Sequence, residues 1–282
     1  MSRTDNPVYS NAAAPAAAQA HWFSANPDRA WGEKFFLVYS PVWMLLMALM
    51  MFTGWVNSFG DTALLLHGVI VAAPLFLIPA LLRIGNNPGQ RWYNSYWFKA
   101  NLYIGLFGFF GNYFGSEYFF DVLGMVYNLP NVTTALDARL LGHSDQPVPF
   151  IMYLYTHAYF MTYHTTAIIV LRRVMTSGLP LSRILFLPVT FAVGYVWAWL
   201  ETKAMANPLM TTTFYYKNMD AMLLYGSLIY ALYFIGSFPI FYFLDENASA
   251  RWNTTKVASA GLAASMIVFY LLDLSAHAIG SL

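Results

Sequence analysis

The chain has 282 residues, 59% of them hydrophobic and only 10% charged, with a formal net charge of +1; an ordinary soluble domain carries about 25% charged residues. That balance excludes a nucleic-acid-binding surface and leaves no room for a sizeable soluble domain beside a set of membrane spans. The absence of cysteine excludes disulfides, thiol catalysis, thiolate metal sites and haem–thiolate ligation.

Residues 1–20 contain NAAAPAAAQA, small and Pro-containing with no apolar core. They read as a disordered lead-in rather than a signal peptide, and residues 21–282 read as one transmembrane domain. HWFSANPDRAW (21–31) places Asn26-Pro27 at a helix start, with Asp28 in the first turn and Trp22 and Trp31 suited to the headgroup layer. The first span is predicted over Phe35–Trp55 with a kink at Pro41. The second covers Thr62–Ile84, interrupted by Pro74 and Pro79; its His67 reads as structural. Gly85–Tyr96 is a polar turn.

Phe98–Phe120 reads as a single helix long enough to cross the roughly 30 Å hydrocarbon core, yet it carries Asn101, Asn112, Tyr113 and Glu117. An acid in a span is functional by default; the plainer alternative is a Glu117 near the wet end of the helix. Tyr113 and Glu117, four apart, share a face. Asp121–Pro149 is the longest loop, read as an exposed excursion or a cap over one mouth of the bundle. Span four, Phe150–Leu171, carries Tyr153, His157, Tyr163 and His164 and is closed by Arg172-Arg173. Span five is Ile184–Glu201, with Trp197 one turn before Glu201; span six is Met219–Leu244, rich in Tyr (Tyr233 among them) and interrupted by Gly236 and Pro239. After a charged turn, span seven runs Val257–His277 with Asp273 near its end.

The fold class expected is therefore all-α: a polytopic membrane helix bundle of about seven transmembrane helices with a cytosolic N-terminus. Under that alternation only Arg139, Lys203 and Lys217 of the 14 Lys and Arg fall on the non-cytosolic side, as the positive-inside rule requires. Glu117, His157, Glu201, Asp220 and Asp273 then all fall in the outer half of the bundle, with His164 near the midplane. His157 and His164, seven apart, share a face and with a carboxylate suit proton relay; two hydrogen-bonded interhelical histidines are the alternative. Asp273 has no basic residue on its own turn and either pairs with Lys203 or reaches water. Six histidines without clustered motifs do not make a membrane di-iron site, the last span has no Schiff-base lysine, and no phosphate-binding glycine loop is present. Two classes remain: cofactor-free acid–base chemistry in an aromatic-lined cavity, and passive binding or transport of a hydrophobic molecule.

Taken in order, the motifs resemble the cycloeucalenol cycloisomerase family of sterol cyclopropyl isomerases. They are WFSANPDRAWGEKFFLVYSPVW, YWFKANLYIGLFGFFGNYFGSEYFFDVLG, Thr156-His157, Tyr163-His164, Leu171-Arg172-Arg173, Leu200-Glu201-Thr202, Ser237-Phe238-Pro239, Asp245-Glu246 and Leu272-Asp273-Leu274. Two departures stand out: the plant family carries histidine where this chain has Glu117, and the stretch between Pro130 and Pro149 is longer here. The resemblance implies opening of the 9β,19-cyclopropane of a sterol, cycloeucalenol giving an 8-ene obtusifoliol-like product, without metal or nucleotide cofactor. An acid protonates the ring methylene, positive charge develops at C9, and a base removes the C8 proton.

On that implied chemistry Glu117 is assigned as acid with His157 as its relay, Asn112 and Tyr113 as orienting groups, and Glu201 or Asp273 as base. In the alternative His157 or His164 does the acid work and Glu117 only shapes the pocket. Asn101, Tyr153, Tyr163, Trp197 and Tyr233 complete the expected substrate contacts. The expected partners are a sterol or related polycyclic lipid and the surrounding membrane lipids, in the endoplasmic reticulum of a eukaryote or the cytoplasmic membrane of a bacterium. A sterol carrier without turnover, or an isomerase for another polycyclic lipid, is the competing reading.

Overall fold

The computed structural model describes residues 20–83, 90–139 and 141–280. The lead-in up to residue 19, part of the 85–96 turn and the last two residues lie outside this range. Helix α1 (Pro27–Phe52) starts as the sequence predicts: the Asn26 side chain accepts from the Asp28 amide, Pro27 occupies the first turn, and Pro41 lies within the helix. A short turn of helix α2 (Trp55–Ser58) leads to the second pass, split into α3 (Asp61–Ala72) and α4 (Pro74–Arg83). Proline has no N–H for the carbonyl four residues back, so Pro74 and Pro79 free the carbonyls of Ile70 and Leu75. Other helices supply the missing donors. The Tyr39 hydroxyl of α1 reaches the carbonyls of Ile70 (3.3 Å) and Val71 (2.8 Å), and Asn101 Nδ2 donates to Leu75 at 3.0 Å.

The third pass is not the single helix expected. It is α5 (Tyr96–Tyr113) followed by α6 (Gly115–Asp121), with the break at Phe114. Next to the break, the Tyr233 hydroxyl occupies the space beside Gly115, where a Cβ would lie 1.7 Å from it. The fourth pass, α7 (Ile151–Met175), runs past Arg172-Arg173 rather than ending there, and the fifth is α8 (Ser182–Met205). The sixth begins with α9 (Met219–Ala221) and a π turn over Met222–Gly226 before α10 (Ser227–Phe243). Neither Gly236 nor Pro239 interrupts α10; the irregularity is the π turn. The last pass, α11 (Thr254–Ile279), is capped by the Asn253 side chain, which accepts from the Lys256 amide at 2.8 Å.

Among the described residues, five passes are long and apolar enough to cross a membrane: Pro27–Phe52, Asp61–Arg83, Ser182–Met205, Met219–Phe243 and Thr254–Ile279. The remaining two, α5 and α7, are packed among the others, α5 against α11, α7 and α1, and α7 against α8 and α3. Helices shielded from lipid can carry polar side chains, which is why these two hold the Asn, His and Thr residues singled out above. The long loop does form a cap. Its β1 (Met125–Tyr127) pairs antiparallel with β2 (Phe214–Tyr216), Met125 opposite Tyr216 and Tyr127 opposite Phe214. Asn57 Oδ1 ties the ribbon to α2 by accepting from Thr213 Oγ1 at 2.6 Å.

At the other end of the bundle the charges are buried and paired. Glu33 joins Arg29 (2.8 Å) and Arg172 (2.6 Å), and Glu246 joins the same two arginines at 3.0 and 2.7 Å. Lys99 pairs with Asp245, whose backbone is left-handed at φ 54°. Asp245 is held there by the Trp252 amide (2.7 Å) and by Asn26 Nδ2 on its carbonyl (3.1 Å). A chain that crosses an odd number of times puts its ends on opposite faces, so reporter tags at Met1 and Leu282 should score as cytosolic and non-cytosolic respectively. Both tags on one face would show that one pass is re-entrant.

Candidate active site

A cavity lies under the ribbon, between the outer ends of α1, α3, α5, α7, α8 and α10. Six methionines line it, Met47, Met50, Met125, Met152, Met205 and Met210, flexible side chains that adjust to a rigid ligand. Its polar groups are mostly hydroxyls, from tyrosines and threonines. Thr156 Oγ1 donates to Asn112 Oδ1 at 3.3 Å, and Asn112 is itself anchored through Nδ2 to the Gly108 carbonyl.

Glu201 is the one carboxyl among the described lining residues. It sits in the last full turn of α8, which continues to Met205 and so carries it inside the bundle rather than to the interface. The Tyr230 hydroxyl of α10 donates to Glu201 Oε2 at 2.5 Å, and Tyr163 presents a second hydroxyl to the same group. Tyr127, Tyr159 and Tyr216 stand close enough to sense its charge. Among the described residues no Lys, Arg or His pairs with it. A carboxyl held by phenols, without a counter-ion, in a Met-lined cavity is suited to moving a proton and not to neutralising a cation.

The structure distributes the other predicted residues unevenly. Asn112 and Tyr233 line the cavity. Tyr163 stacks on Trp197 (4.4 Å between rings) just behind it, with Trp197 Nε1 bonded to Thr166. Glu117 is buried behind the lining, its carboxyl packed on Gly142 of the cap, and Tyr113 stacks on Phe109. His157 and Glu117 are not brought together. The His157 ring lies beside Gly105, about 12 residues or roughly 18 Å of helix before Glu117. Its Nε2 meets Asn101 Oδ1 at 2.8 Å, while Asn101 serves the Leu75 and Trp97 carbonyls. His157, Gly105 and Tyr153 line a separate groove, and Tyr153 anchors the cap through the Leu136 carbonyl.

His164 is enclosed in aromatic rings, between the Phe160 carbonyl at Nδ1 (2.7 Å) and Ser237 Oγ at Nε2 (2.6 Å). The carbonyl can only accept, so Nδ1 carries the proton and Nε2 accepts from Ser237. Asp273 is turned outward on α11, its side chain 59% exposed beside His277, and reaches neither Lys203 nor the cavity. His67 bonds Tyr155 at 2.8 Å, a structural role as read. Tyr230, Tyr159 and Ser116 were not singled out by the sequence reading. Their signal was available in part: Tyr155, Tyr159 and Tyr163 recur every four residues and stack as a ladder along α7.

Fold and site together define a polytopic membrane helix bundle enclosing a capped, mostly apolar chamber with one carboxyl. The sequence is 37% identical over 261 residues, 90% of this chain and 87% of the relative, to the Arabidopsis thaliana protein named cycloeucalenol cycloisomerase. The chain belongs to the cycloeucalenol cycloisomerase family. No family model matches the chain and no solved structure matches it.

Proposed function

We propose that the protein is an integral-membrane isomerase that opens the cyclopropane ring of a 9β,19-cyclopropyl sterol; the name of its relative, cycloeucalenol cycloisomerase, supports the isomerase part of this reading. We take residues 21–282 as its single domain. The observation that carries this reading is the lone carboxyl in the chamber. Glu201 gives a proton to the ring methylene as the C9–C19 bond breaks, leaving an angular methyl group and positive charge at C9. Loss of the C8 proton then places the C8–H electron pair in the new C8=C9 double bond. Protons given and taken are equal in number, so one carboxyl can serve both steps. Tyr230 and Tyr163 steady the carboxylate between them. The rings of Phe119, Tyr159, Phe160 and Tyr230, all at the cavity wall, face the transient cation, and the cap keeps water from trapping it. The chemistry is redox-neutral, and we propose that it runs without a metal or nucleotide.

Purified protein treated with a chelator and incubated with cycloeucalenol should yield an 8-ene sterol by chromatography and mass spectrometry. Folded protein that binds cyclopropyl sterols and converts none of them would be a carrier. Asp273 lies outside the chamber, so Asp273→Asn should keep turnover within about twofold of the parent, the usual range for a surface change. A large loss in that variant would return Asp273 to the list of candidate bases.

A further inference from the structure

We infer that the apolar groove between α5–α6 and α11 is the passage by which the polycyclic lipid moves between bilayer and chamber, with the Tyr233 ring as its movable partition. This rests on the isomerase reading. Phe110, Phe114, Leu262, Met266 and Phe269 are among the walls of the groove. Leu262 and Met266 are exposed on the outer face of α11, where a span meets lipid.

Groove and chamber share two residues, Gly111 and Tyr233. Gly111 and Gly115 lie one helical turn apart on α5–α6, and the Tyr233 ring lies across both. A Cβ at Gly115 would meet its hydroxyl at 1.7 Å and one at Gly111 its ring edge at 3.4 Å. The Tyr233 hydroxyl donates to the Gly111 carbonyl at 3.2 Å, and its buried ring packs edge-on against Phe107, Phe119, Phe160 and Tyr230. The helix is already broken at Phe114, between the two contact points. Displacement of the Tyr233 side chain, which both spaces share, is the step that joins them. The other end of the chamber is roofed by ribbon residues Met125, Tyr127, Phe214 and Tyr216, and a sterol partitions into the bilayer rather than the water beyond that roof.

The cysteine-free chain permits a direct test in proteoliposomes. Ser265, in the groove wall, and Leu274, on the lipid-facing surface of α11 outside the groove, are each replaced by cysteine (Ser265→Cys, Leu274→Cys). Each variant's conversion of cycloeucalenol is measured before and after reaction with a bulky maleimide. The proposal expects labelling to lower kcat/KM of the S265C variant about tenfold or more, from blocked access to the site, and to leave that of L274C unchanged. Undiminished turnover after labelling at Ser265, or an equal fall in both variants, overturns it. A parent protein that converts no cyclopropyl sterol would defeat the isomerase reading instead. Photolabelling with a diazirine-bearing cyclopropyl sterol then judges the passage separately. Adducts between Leu262 and Phe269 support it, and their absence overturns it.

Discussion

Replacing Glu201 with glutamine should slow cyclopropane opening by roughly 10²- to 10⁴-fold, the usual worth of a positioned acid–base group, with the protein still folded and still binding sterol. Glutamine keeps the volume, and its amide oxygen can still accept from Tyr230, which now donates to Glu201 Oε2 at 2.5 Å. What is lost is the transferable proton. The defect should therefore fall on kcat while sterol affinity changes little. Tyr230→Phe should cost less, because the carboxyl remains and Tyr163 still faces it. Glu117→Gln serves as the control, since the Glu117 carboxyl packs on Gly142 outside the lining. Near-normal turnover in the Glu201→Gln variant together with a dead Glu117→Gln variant would move the acid to α6 and refute the assignment.

A comparable effect, on stability instead of rate, is expected from Glu33→Ala. Glu33 is fully buried and accepts from Arg29, from both terminal nitrogens of Arg172 and from the Ser24 amide. Its removal leaves two fully buried guanidinium groups sharing only Glu246, itself partly exposed. Breaking a buried ion pair by deleting one partner costs about 3–5 kcal/mol, and the thermal unfolding midpoint of the detergent-solubilised protein should fall markedly. A midpoint within a degree or two of the parent would show that the cluster is better hydrated than its burial indicates.

The same cluster has a pH signature. Burial pushes the Glu246 carboxyl up, but the Arg172 hydrogen bonds and the charges of Arg29 and Arg172 outweigh it and hold the group below its ordinary value of 4.5. Its contribution is thus complete above about 4.5 and is lost as pH falls through the lower folded value. Glu246→Gln should therefore flatten the fall of the thermal midpoint on acidification below about pH 4.5.

Much of this architecture was legible because lipid-facing helices write long apolar runs, and the Asn26-Pro27-Asp28 start is a local signal with local causes. What escaped the sequence was set by partners distant in the chain. The Tyr233 hydroxyl that lies against Gly115, next to the break at Phe114, comes from more than a hundred residues away. The ribbon strands are three residues each, too short for an alternation to register. Arg29, Lys99 and Arg172 read as charges flanking the spans, when they are buried ions whose carboxylates come from the 245–246 turn and α1. At the site, Asn112, Glu201 and Tyr233 were found by residue type, since polar groups on spans are rare. The depth of His157 was misjudged because antiparallel helices were aligned by their ends. The contacts of α7 with α5 set a different register, which places His157 at Gly105. The sequence reading ended the fifth span at Glu201, whereas α8 runs on to Met205.

The two prolines of the second pass bear on how the chain is made. As that segment leaves the ribosome, the carbonyl of Leu75 has lost its donor to Pro79, and the residue that will supply one, Asn101, has not yet been synthesised. Tyr39 is already available to Ile70 and Val71, but only if the first pass stays alongside. In hydrocarbon each bare carbonyl costs several kcal/mol. The second pass therefore enters the lipid with the Leu75 carbonyl unmatched, and the arrival of the third pass, which brings Asn101 alongside, removes the cost.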